Sequence, residues 1–324
     1  MAPLREEEPK VVRFLVRRLL LSVVVVAGVV TIAFGLLHMI PGDPVDAMLG
    51  TESNPATKAA LRHELGLDRP LATQYVGWWR QLLQGDLGES VMIGQPVGSL
   101  ILQRLPTTIP LAIFSMLIAI TIALPAGIIA AIRRNTWSDG VVSLLAFSGL
   151  SIPGFWLGAL LILGFAVRWR WFPPGGYVSV FDDPVSGLRH LVLPAIALGT
   201  TFAAALTRMV RSSLLEVMSR DYIRTARAKG QRERLIIVRH ALRNALIPTV
   251  TIVGVQVGVL LSGALVIEQI FSLPGIGRLT VQAVFDRDFP LVQGSVIVIA
   301  LIFVVANLLT DLLYVYLDPR ISYA

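Results

Sequence analysis

Six long apolar stretches separated by polar segments account for much of the chain. They cover residues 19–37, 109–132, 141–167, 191–209, 246–270 and 291–317. An α-helix needs about 20 residues to cross a hydrocarbon core roughly 30 Å thick, and each stretch approaches or exceeds that length. The pattern therefore predicts an all-α integral membrane protein with six transmembrane helices. The third and sixth stretches are long enough to tilt or to extend into an interfacial turn.

Basic residues orient these predicted spans. They flank one set of span ends, namely Lys10, Arg13, Arg17 and Arg18 before the first span and Arg133 and Arg134 after the second. A strongly basic segment also follows the fourth span. Because positively charged loops remain in the cytoplasm, all of these ends are assigned to that side. Six alternating spans then place both termini in the cytoplasm.

The first apolar stretch also resembles a secretory signal, since basic residues precede it and a turn follows it. It is longer than a typical signal-peptide core, and no small-x-small cleavage site precedes His38. We therefore expect an uncleaved first span.

Residues 39–105 form the predicted extracytoplasmic loop, which we expect to be ordered. Asn54 and Pro55 suit the start of a helix of about ten residues, and Gly66 suits its end. A second helix is predicted from Pro70 to Gly85. It carries an aromatic and apolar face composed of Tyr75, Trp78, Trp79, Leu82 and Leu83. We favour a role for this face at the membrane interface over direct ligand contact.

Composition agrees with a membrane protein. The chain is 55% hydrophobic and 15% charged, with a mean hydropathy of +0.72, far from the averages of soluble domains. Its net charge of +7 could suggest nucleic-acid binding. The basic residues concentrate beside the spans, however, where they set orientation and meet anionic lipid, so nucleic acid is not an expected partner. The absence of cysteine excludes disulfides and thiolate metal sites.

The most basic part of the chain is residues 208–248, between the fourth and fifth spans. Ten basic residues stand there against three acidic ones: Arg208, Arg211, Arg220, Arg224, Arg227, Lys229, Arg232, Arg234, Arg239 and Arg243 against Glu216, Asp221 and Glu233. Recurring apolar residues predict one or two short helices. We interpret this basic segment as a docking site for a cytoplasmic partner. The alternative is a topogenic loop that binds nothing.

Helix-breaking residues also occur inside the apolar stretches. They are Pro125, Gly127, Pro153, Gly154, Pro194, Gly199 and Pro248. Proline interrupts the helical hydrogen bonds and glycine permits close helix approach, so we expect kinked, tightly packed helices. Each alone is ordinary bundle packing, but together they suit a bundle that changes shape.

No catalytic machinery is predicted. The chain lacks a nucleotide-binding P-loop, because none of its three lysines lies in the required motif. No catalytic triad or metal cluster emerges from the sequence. Glu268 and Asp311 are carboxylates near span ends, where solvation by headgroups or water is the favoured explanation. They leave open a less favoured alternative, an ion-coupled carrier or a stand-alone membrane enzyme.

Eight ordered strings carry a family resemblance over almost the whole chain. They are LHMIPGDP (37–44), GLDRPL (66–71), GDLGES (85–90), LPTT (105–108), SIPGF (151–155), DYIRTARAKG (221–230), HALRNALIP (240–248) and FSLPGIG (271–277). Together they resemble the inner-membrane permease subunits of ABC importers, in the branch that handles dipeptides, oligopeptides, glutathione or nickel.

The resemblance implies a coupling helix between residues 222 and 235 that enters a groove of an ATP-binding subunit. The residues assigned to this contact are Arg224, Ala226, Arg227, Lys229 and Gly230. The general permease motif begins Glu-Ala-Ala. Here Arg224 and Thr225 stand where Glu and the first Ala would be, so only Ala226 and Gly230 match it cleanly.

The resemblance also implies the rest of the machine. We expect a second homologous permease, two ATP-binding subunits that hold ATP and Mg²⁺, an extracytoplasmic substrate-binding protein and membrane lipid as partners, with no cofactor in this chain. The expected organisation is a first span in 1–38, an outer loop in 39–105, a five-helix core in 106–318 with the coupling segment at about 208–245, and a cytoplasmic tail in 319–324. Short peptides are the expected substrate, with nickel, glutathione or another small solute as the alternative.

Overall fold

A computed structural model describes residues 8–39, 45, 49, 54–64 and 66–317. In these ranges the regular structure is helical, apart from one isolated bridge between Glu89 and Pro96. The helices of the first part are α1 (Glu8–Met39), α2 (Pro55–Glu64), α3 (Leu71–Leu83) and α4 (Val97–Leu102). The next are α5 (Leu105–Ile132), α6 (Trp137–Ser151), α7 (Gly154–Leu161), α8 (Pro184–Met218) and α9 (Asp221–Ala228). The last are α10 (Leu242–Ile270), α11 (Ile276–Phe285) and α12 (Phe289–Leu317).

Two helices have irregular extensions. A π-helical segment, Ile162–Arg168, continues α7. A helical turn, Glu233–Leu235, and a second π-helical segment, Ile236–Ala241, lead into α10. The predicted tail 319–324 lies outside the described residues, as do residues 40–44 of the first string.

Five helical segments are long and apolar enough to cross a membrane: Val16–Gly35, Val97–Ile132, Pro184–Met218, Glu233–Ile270 and Phe289–Leu312. The third predicted span, residues 141–167, is broken. Its two parts, α6 and α7, meet at an angle of 99°, and they make a sixth span only if the bent pair is counted as one. Ile152 is extended at the break, with φ −82° and ψ 120°. The next residue, Pro153, disfavours a helical conformation at Ile152 and cannot donate to the helix itself.

Helix α8 lies at the centre of the bundle. In its most apolar stretch, 67% of α8 is buried. Helix α8 packs along α5 through glycines at two positions. A Cβ on Gly199 would lie 2.5 Å from the backbone oxygen of Ser115 in α5. A Cβ on Gly127 in α5 would lie 2.8 Å from the backbone oxygen of Thr207 in α8. The predicted close packing at these glycines is confirmed.

The outer-loop helices match their predicted ends. The side chain of Asn54 accepts a hydrogen bond from the Ala56 backbone at 3.0 Å, as expected at a helix start. Gly66 and Gly85 follow the ends of α2 and α3 with φ of +67° and +78°. Glycine suits both positions because a side chain disfavours positive φ.

The aromatic face of α3 packs in part against the first span. The ring centroid of Phe34 in α1 lies 5.3 Å from that of Tyr75 and 5.6 Å from that of Trp78. The hydroxyl oxygens of Thr31 and Tyr75 are 2.8 Å apart. These contacts hold α3 beside α1.

Replacing Gly199 by alanine is expected to destabilise the bundle, because the new methyl group meets a backbone atom that cannot rotate away. Overpacking of this kind costs about 1–3 kcal/mol. Thermal unfolding of the detergent-purified chain should therefore begin at a lower temperature.

Gly140→Ala in α6 is the matched control, since nothing lies within 4 Å of its added Cβ. Alanine is the better helix former, so this control should be neutral or slightly stabilising. Equal melting temperatures for the two variants would contradict the described contact between α5 and α8.

Candidate functional site

Helix α9 lies within the basic segment, residues 208–248, and its local sequence explains both of its ends. The chain enters it through Arg220 in an extended conformation. It ends in a Schellman motif, in which the Gly230 N–H bonds the Arg227 carbonyl at 2.9 Å and the Gln231 N–H bonds the Ala226 carbonyl at 3.3 Å. Gly230 has φ +71°, the left-handed conformation that this motif requires. Gly230 therefore ends α9, and its contact with an ATP-binding subunit stays a prediction.

One face of α9 is packed against its own chain. Ile223 is fully buried and Ala226 is 9% exposed. We call the buried group around them the anchor cluster. Its members are Ala131 at the end of α5, Leu214 in α8, Ile223 and Ala226 in α9, Ile236 and Ala241 in the π-helical segment, and Ala245 in α10. The anchor cluster therefore joins α9 to three long helices.

The other face of α9 carries exposed cations. Arg224, Arg227 and Lys229 are all exposed, and Arg224 lies 3.5 Å from Asp221 through its closest oxygen. Within the described part of the chain Lys229 has no ion-pair partner. Of the five predicted contact residues, three cations thus point outward, Ala226 points inward and Gly230 forms the turn.

Arg227 is already engaged within the segment. Its guanidinium donates two hydrogen bonds to the carboxylate of Glu233, at 2.7 and 3.1 Å. These bonds favour the charged form and raise the pKa of Arg227 above its usual value. The pair ties α9 to the turn that leads into α10. A second hydrogen bond also ties α9 to α10, since the side-chain amide of Asn244 donates to the Tyr222 hydroxyl at 3.2 Å.

Two of the ten basic residues, Arg208 and Arg211, contact α6, although Arg208 itself is exposed. Arg211 makes a two-pronged contact with Asp139 at the start of α6, with distances of 2.7 and 2.8 Å. Arg208 lies over the ring of Phe147, 5.0 Å from its centroid. Sequence reasoning counted both arginines with the rest and missed Asp139. Asp139 could have been selected from the sequence, because it is an acidic residue in the first turn of an apolar helix.

At the opposite end of α10, Glu268 organises a second polar centre. It is fully buried and accepts hydrogen bonds from the Thr108 hydroxyl at 2.7 Å and the Arg278 N–H at 3.0 Å. The Thr108 hydroxyl in turn accepts from the Ile276 N–H at 2.9 Å. Glu268 and Thr108 thus satisfy amide groups in the first turn of α11, which have no partner within that helix. The expectation that headgroups or water solvate Glu268 is wrong, because protein surrounds it.

Glycines admit this carboxylate. A Cβ on Gly275 would lie 2.0 Å from the Glu268 carboxylate, and one on Gly277 would lie 3.0 Å from it. The two glycines of FSLPGIG, residues 271–277, therefore allow the backbone N–H groups of this turn to approach the buried Glu268 carboxylate.

A second buried acid holds the segment before α4, which belongs to the predicted extracytoplasmic loop. Asp288 is 1% exposed and accepts hydrogen bonds from the Ser90 hydroxyl and from the Met92 N–H at 3.3 Å. It also accepts from the Leu291 N–H at 3.3 Å, in the first turn of α12. Sequence reasoning did not select Asp288, although an aspartate two residues before a proline, here Pro290, is typical of a helix start.

Asp311, the other carboxylate considered from the sequence, pairs with Arg18 of α1 at 3.2 Å. Its side chain is 20% exposed. The contact connects the first and last long helices. Among the described residues, no group of three or more His, Cys, Asp or Glu is arranged to hold a metal ion.

Comparison with known proteins identifies the family. Residues 123–323 match the model of the binding-protein-dependent transport system inner membrane component. Residues 11–112 match the corresponding N-terminal model. The two matches together cover most of the chain.

Similar proteins agree with these matches. The dipeptide transport system permease protein DppB of Alkalihalophilus pseudofirmus is 43% identical, with 96% of this chain and 99% of the relative covered. The DppB protein of Escherichia coli strain K12 is 42% identical over the same shares.

A solved structure shares the fold. A chain of the MetNI methionine ABC transporter, in an inward-facing conformation, superposes with a TM-score of 0.56 at 20% identity. The match covers 68% of this chain and 96% of that one. With the family matches and the conserved length of the relatives, it follows that this chain belongs to the inner-membrane permease components of binding-protein-dependent ABC transport systems.

Proposed function

We propose that this chain is one of two permease subunits of an ATP-driven importer, and that the pair forms the path for short peptides delivered by an extracytoplasmic binding protein. Relatives of more than 40% identity over nearly the full length are named dipeptide permeases, which supports the substrate class. The observation that carries the mechanism is the two-faced packing of α9, buried on one side and cationic on the other.

Helix α9 is the proposed coupling helix. Its outer face offers Arg224 and Lys229 to acidic groups on an ATP-binding subunit, and Arg227 retains donors beyond those bound by Glu233. Ala226 has a different part in the contact. It seats α9 on the anchor cluster, so that a force applied to the helix reaches the bundle.

Helix α10 carries that force across the membrane. Its first turns belong to the anchor cluster through Ala245, and its last turn carries Glu268. A helix of 29 residues is about 43 Å long at 1.5 Å per residue. Closure of the ATP-binding subunits would therefore displace α9 and α10 together and move the α11 turn at the far end. Such rigid-body displacement is how alternating access is achieved in this proposal.

Energy enters through partner subunits in this mechanism. The chain has three lysines, Lys10, Lys58 and Lys229, and none lies in a P-loop motif. ATP and Mg²⁺ are assigned to the two ATP-binding subunits, and this chain does no chemistry. An ion-coupled carrier is not favoured, since Glu268 is occupied by a helix terminus and Asp311 by Arg18.

The purified assembly should hydrolyse ATP faster when its binding protein carries a peptide. Affinity purification of this chain from its native membrane should recover a second permease and two ATP-binding subunits. Unlabelled dipeptides and tripeptides should compete with labelled peptide for uptake by vesicles that contain the assembly.

Nickel and glutathione are the matched competitors in that assay. Uptake that nickel inhibits and peptides do not would overturn the peptide assignment while leaving the importer in place. Recovery of the chain without ATP-binding subunits, with transport intact, would overturn the importer itself.

Neutralising the outer face of α9 should uncouple the machine. The variant Arg224→Gln/Lys229→Gln removes two cations whose side chains do not fill the anchor cluster, so the fold should survive. Hydrogen bonds to charged groups are worth about 1.5–3 kcal/mol each, so affinity for the ATP-binding subunits should fall by roughly tenfold or more. Peptide-stimulated ATP hydrolysis should fall with it.

The control variant is Arg133→Gln/Arg134→Gln, which removes two exposed charges at the same end of the bundle. It should assemble and hydrolyse ATP as the native chain does. If both double variants behave alike, net charge rather than the α9 surface governs assembly.

The side chains of Glu268 and Thr108 should stabilise the structure cooperatively. Glu268→Gln retains one acceptor oxygen, but its amide group cannot accept from a backbone N–H. The unsatisfied group that results costs about 1–3 kcal/mol. Thr108→Val removes the bridging hydroxyl. In a double-mutant cycle measured by thermal unfolding, the two losses should couple by about 0.5–3 kcal/mol, and peptide uptake should fall in each variant.

Gln269→Ala, at an exposed neighbour of Glu268, is the control and should change neither property. Strictly additive losses for Thr108 and Glu268 would show that the two side chains do not share a network.

A further inference from the structure

The turn that follows α7 presents alternating basic and aromatic side chains that the proposed transport mechanism does not use. Its sequence is Arg168-Trp169-Arg170-Trp171. Trp169 is 54% exposed and Trp171 is 57% exposed, and both arginines are exposed as well. Two large indole side chains that are about half exposed at one place on the surface indicate a binding site.

The turn is rigid. The rings of Trp169 and Trp171 lie 5.0 Å apart, and that of Trp169 meets Phe165 edge-on at 4.9 Å. The backbone N–H of Trp171 donates a hydrogen bond to the Phe165 carbonyl at 2.8 Å. Arg170 adopts φ +55°, which turns the chain back on itself. The indole pair is therefore held in place before any ligand binds.

A hydrogen bond ties this turn to α8, next to the start of its apolar run. Arg189 of α8 donates to the Trp171 carbonyl at 3.0 Å. Arg189 and His190 are the last polar residues before the apolar run that begins at Leu191. We therefore expect the turn to lie at the boundary between hydrocarbon and headgroups, where tryptophan is enriched.

The polar side-chain groups of the turn have no partner in the described part of the chain. The side chains of Arg168 and Arg170 make neither hydrogen bond nor ion pair there, and the two indole N–H groups are equally unbonded. The acidic residues Asp182 and Asp183 lie further along the chain, and neither forms an ion pair with these arginines. A guanidinium binds phosphate oxygens in a two-pronged manner and prefers an anion.

We propose that Arg168 and Arg170 bind the phosphate of one anionic phospholipid, while Trp169 and Trp171 contact its glycerol and upper acyl chain. A lipid satisfies both halves of the site at once, because its charged phosphate and its hydrocarbon lie on the two sides of the boundary that the Arg189 contact marks. A free phosphate ion would leave the indoles uncovered, and the exposed cations suit an anion better than a zwitterionic head.

The test measures phosphatidylglycerol retention by native mass spectrometry. The full-length chain is purified with its associated subunits and titrated with the lipid. Arg168→Gln/Arg170→Gln should weaken binding of one phosphatidylglycerol by roughly tenfold or more, each basic residue near the surface being worth about a factor of five. Phosphatidylcholine should bind the native protein more weakly than phosphatidylglycerol.

The matched control is Arg80→Gln/Arg278→Gln. It removes two exposed arginines from other helices at the same end of the bundle and should retain lipid as the native protein does. Equal retention by the two double variants would overturn the site. So would phosphatidylcholine binding as tightly as phosphatidylglycerol, or displacement of the lipid by millimolar inorganic phosphate.

A second measurement does not depend on removing charge. A photo-reactive phenylalanine analogue placed at position 169 should form its main adduct with phospholipid in the assembled importer. A main adduct with the second permease or with the binding protein would show that the turn is a protein interface, and would overturn the proposal.

Discussion

The structure depends on a small buried contact between a short helix and the ends of three long ones. A helix of eight residues is not stable alone in water, so tertiary packing must hold α9 in shape. Ile223 and Ala226 provide that packing. Because the remaining faces of α9 are polar, the same contact that stabilises the helix also determines which side chains it offers to a partner.

The two ends of α10 use different physical means for one purpose. At the anchor cluster, apolar side chains exclude water. At the far end, a buried carboxylate accepts hydrogen bonds from a neighbouring helix terminus and a threonine. An apolar contact is non-directional and tolerates small shifts, whereas a buried acid is costly when its bonds are broken. In the proposed mechanism, the first end of α10 can therefore tolerate small shifts while it moves with α9, and the other end must move as a unit with α11.

Elements governed by local rules could be predicted from the sequence. The apolar lengths identified the long helices. Gly66 and Gly85 marked helix ends, because the positive φ found at both depends on the residue itself rather than on a distant partner. Elements that depend on distant partners could not. Buried Glu268 is hydrogen-bonded to Thr108, which is 160 positions away in the sequence. Asp139 forms an ion pair with Arg211, which is 72 positions away. In the third span Pro153 and Gly154 indicated a kink, but the hydropathy pattern did not predict that the bend would reach 99°.

The break between α6 and α7 restricts what can surround it. Ser151, Pro153 and Phe155 are exposed in this single chain. Proline offers no N–H to the preceding turn, and the first amides of α7 have no partner within their own helix. Lipid tails cannot satisfy such groups, so bare backbone at membrane depth is found only against protein or beside water. The kink therefore identifies one part of the bundle surface that hydrocarbon cannot cover in the working assembly.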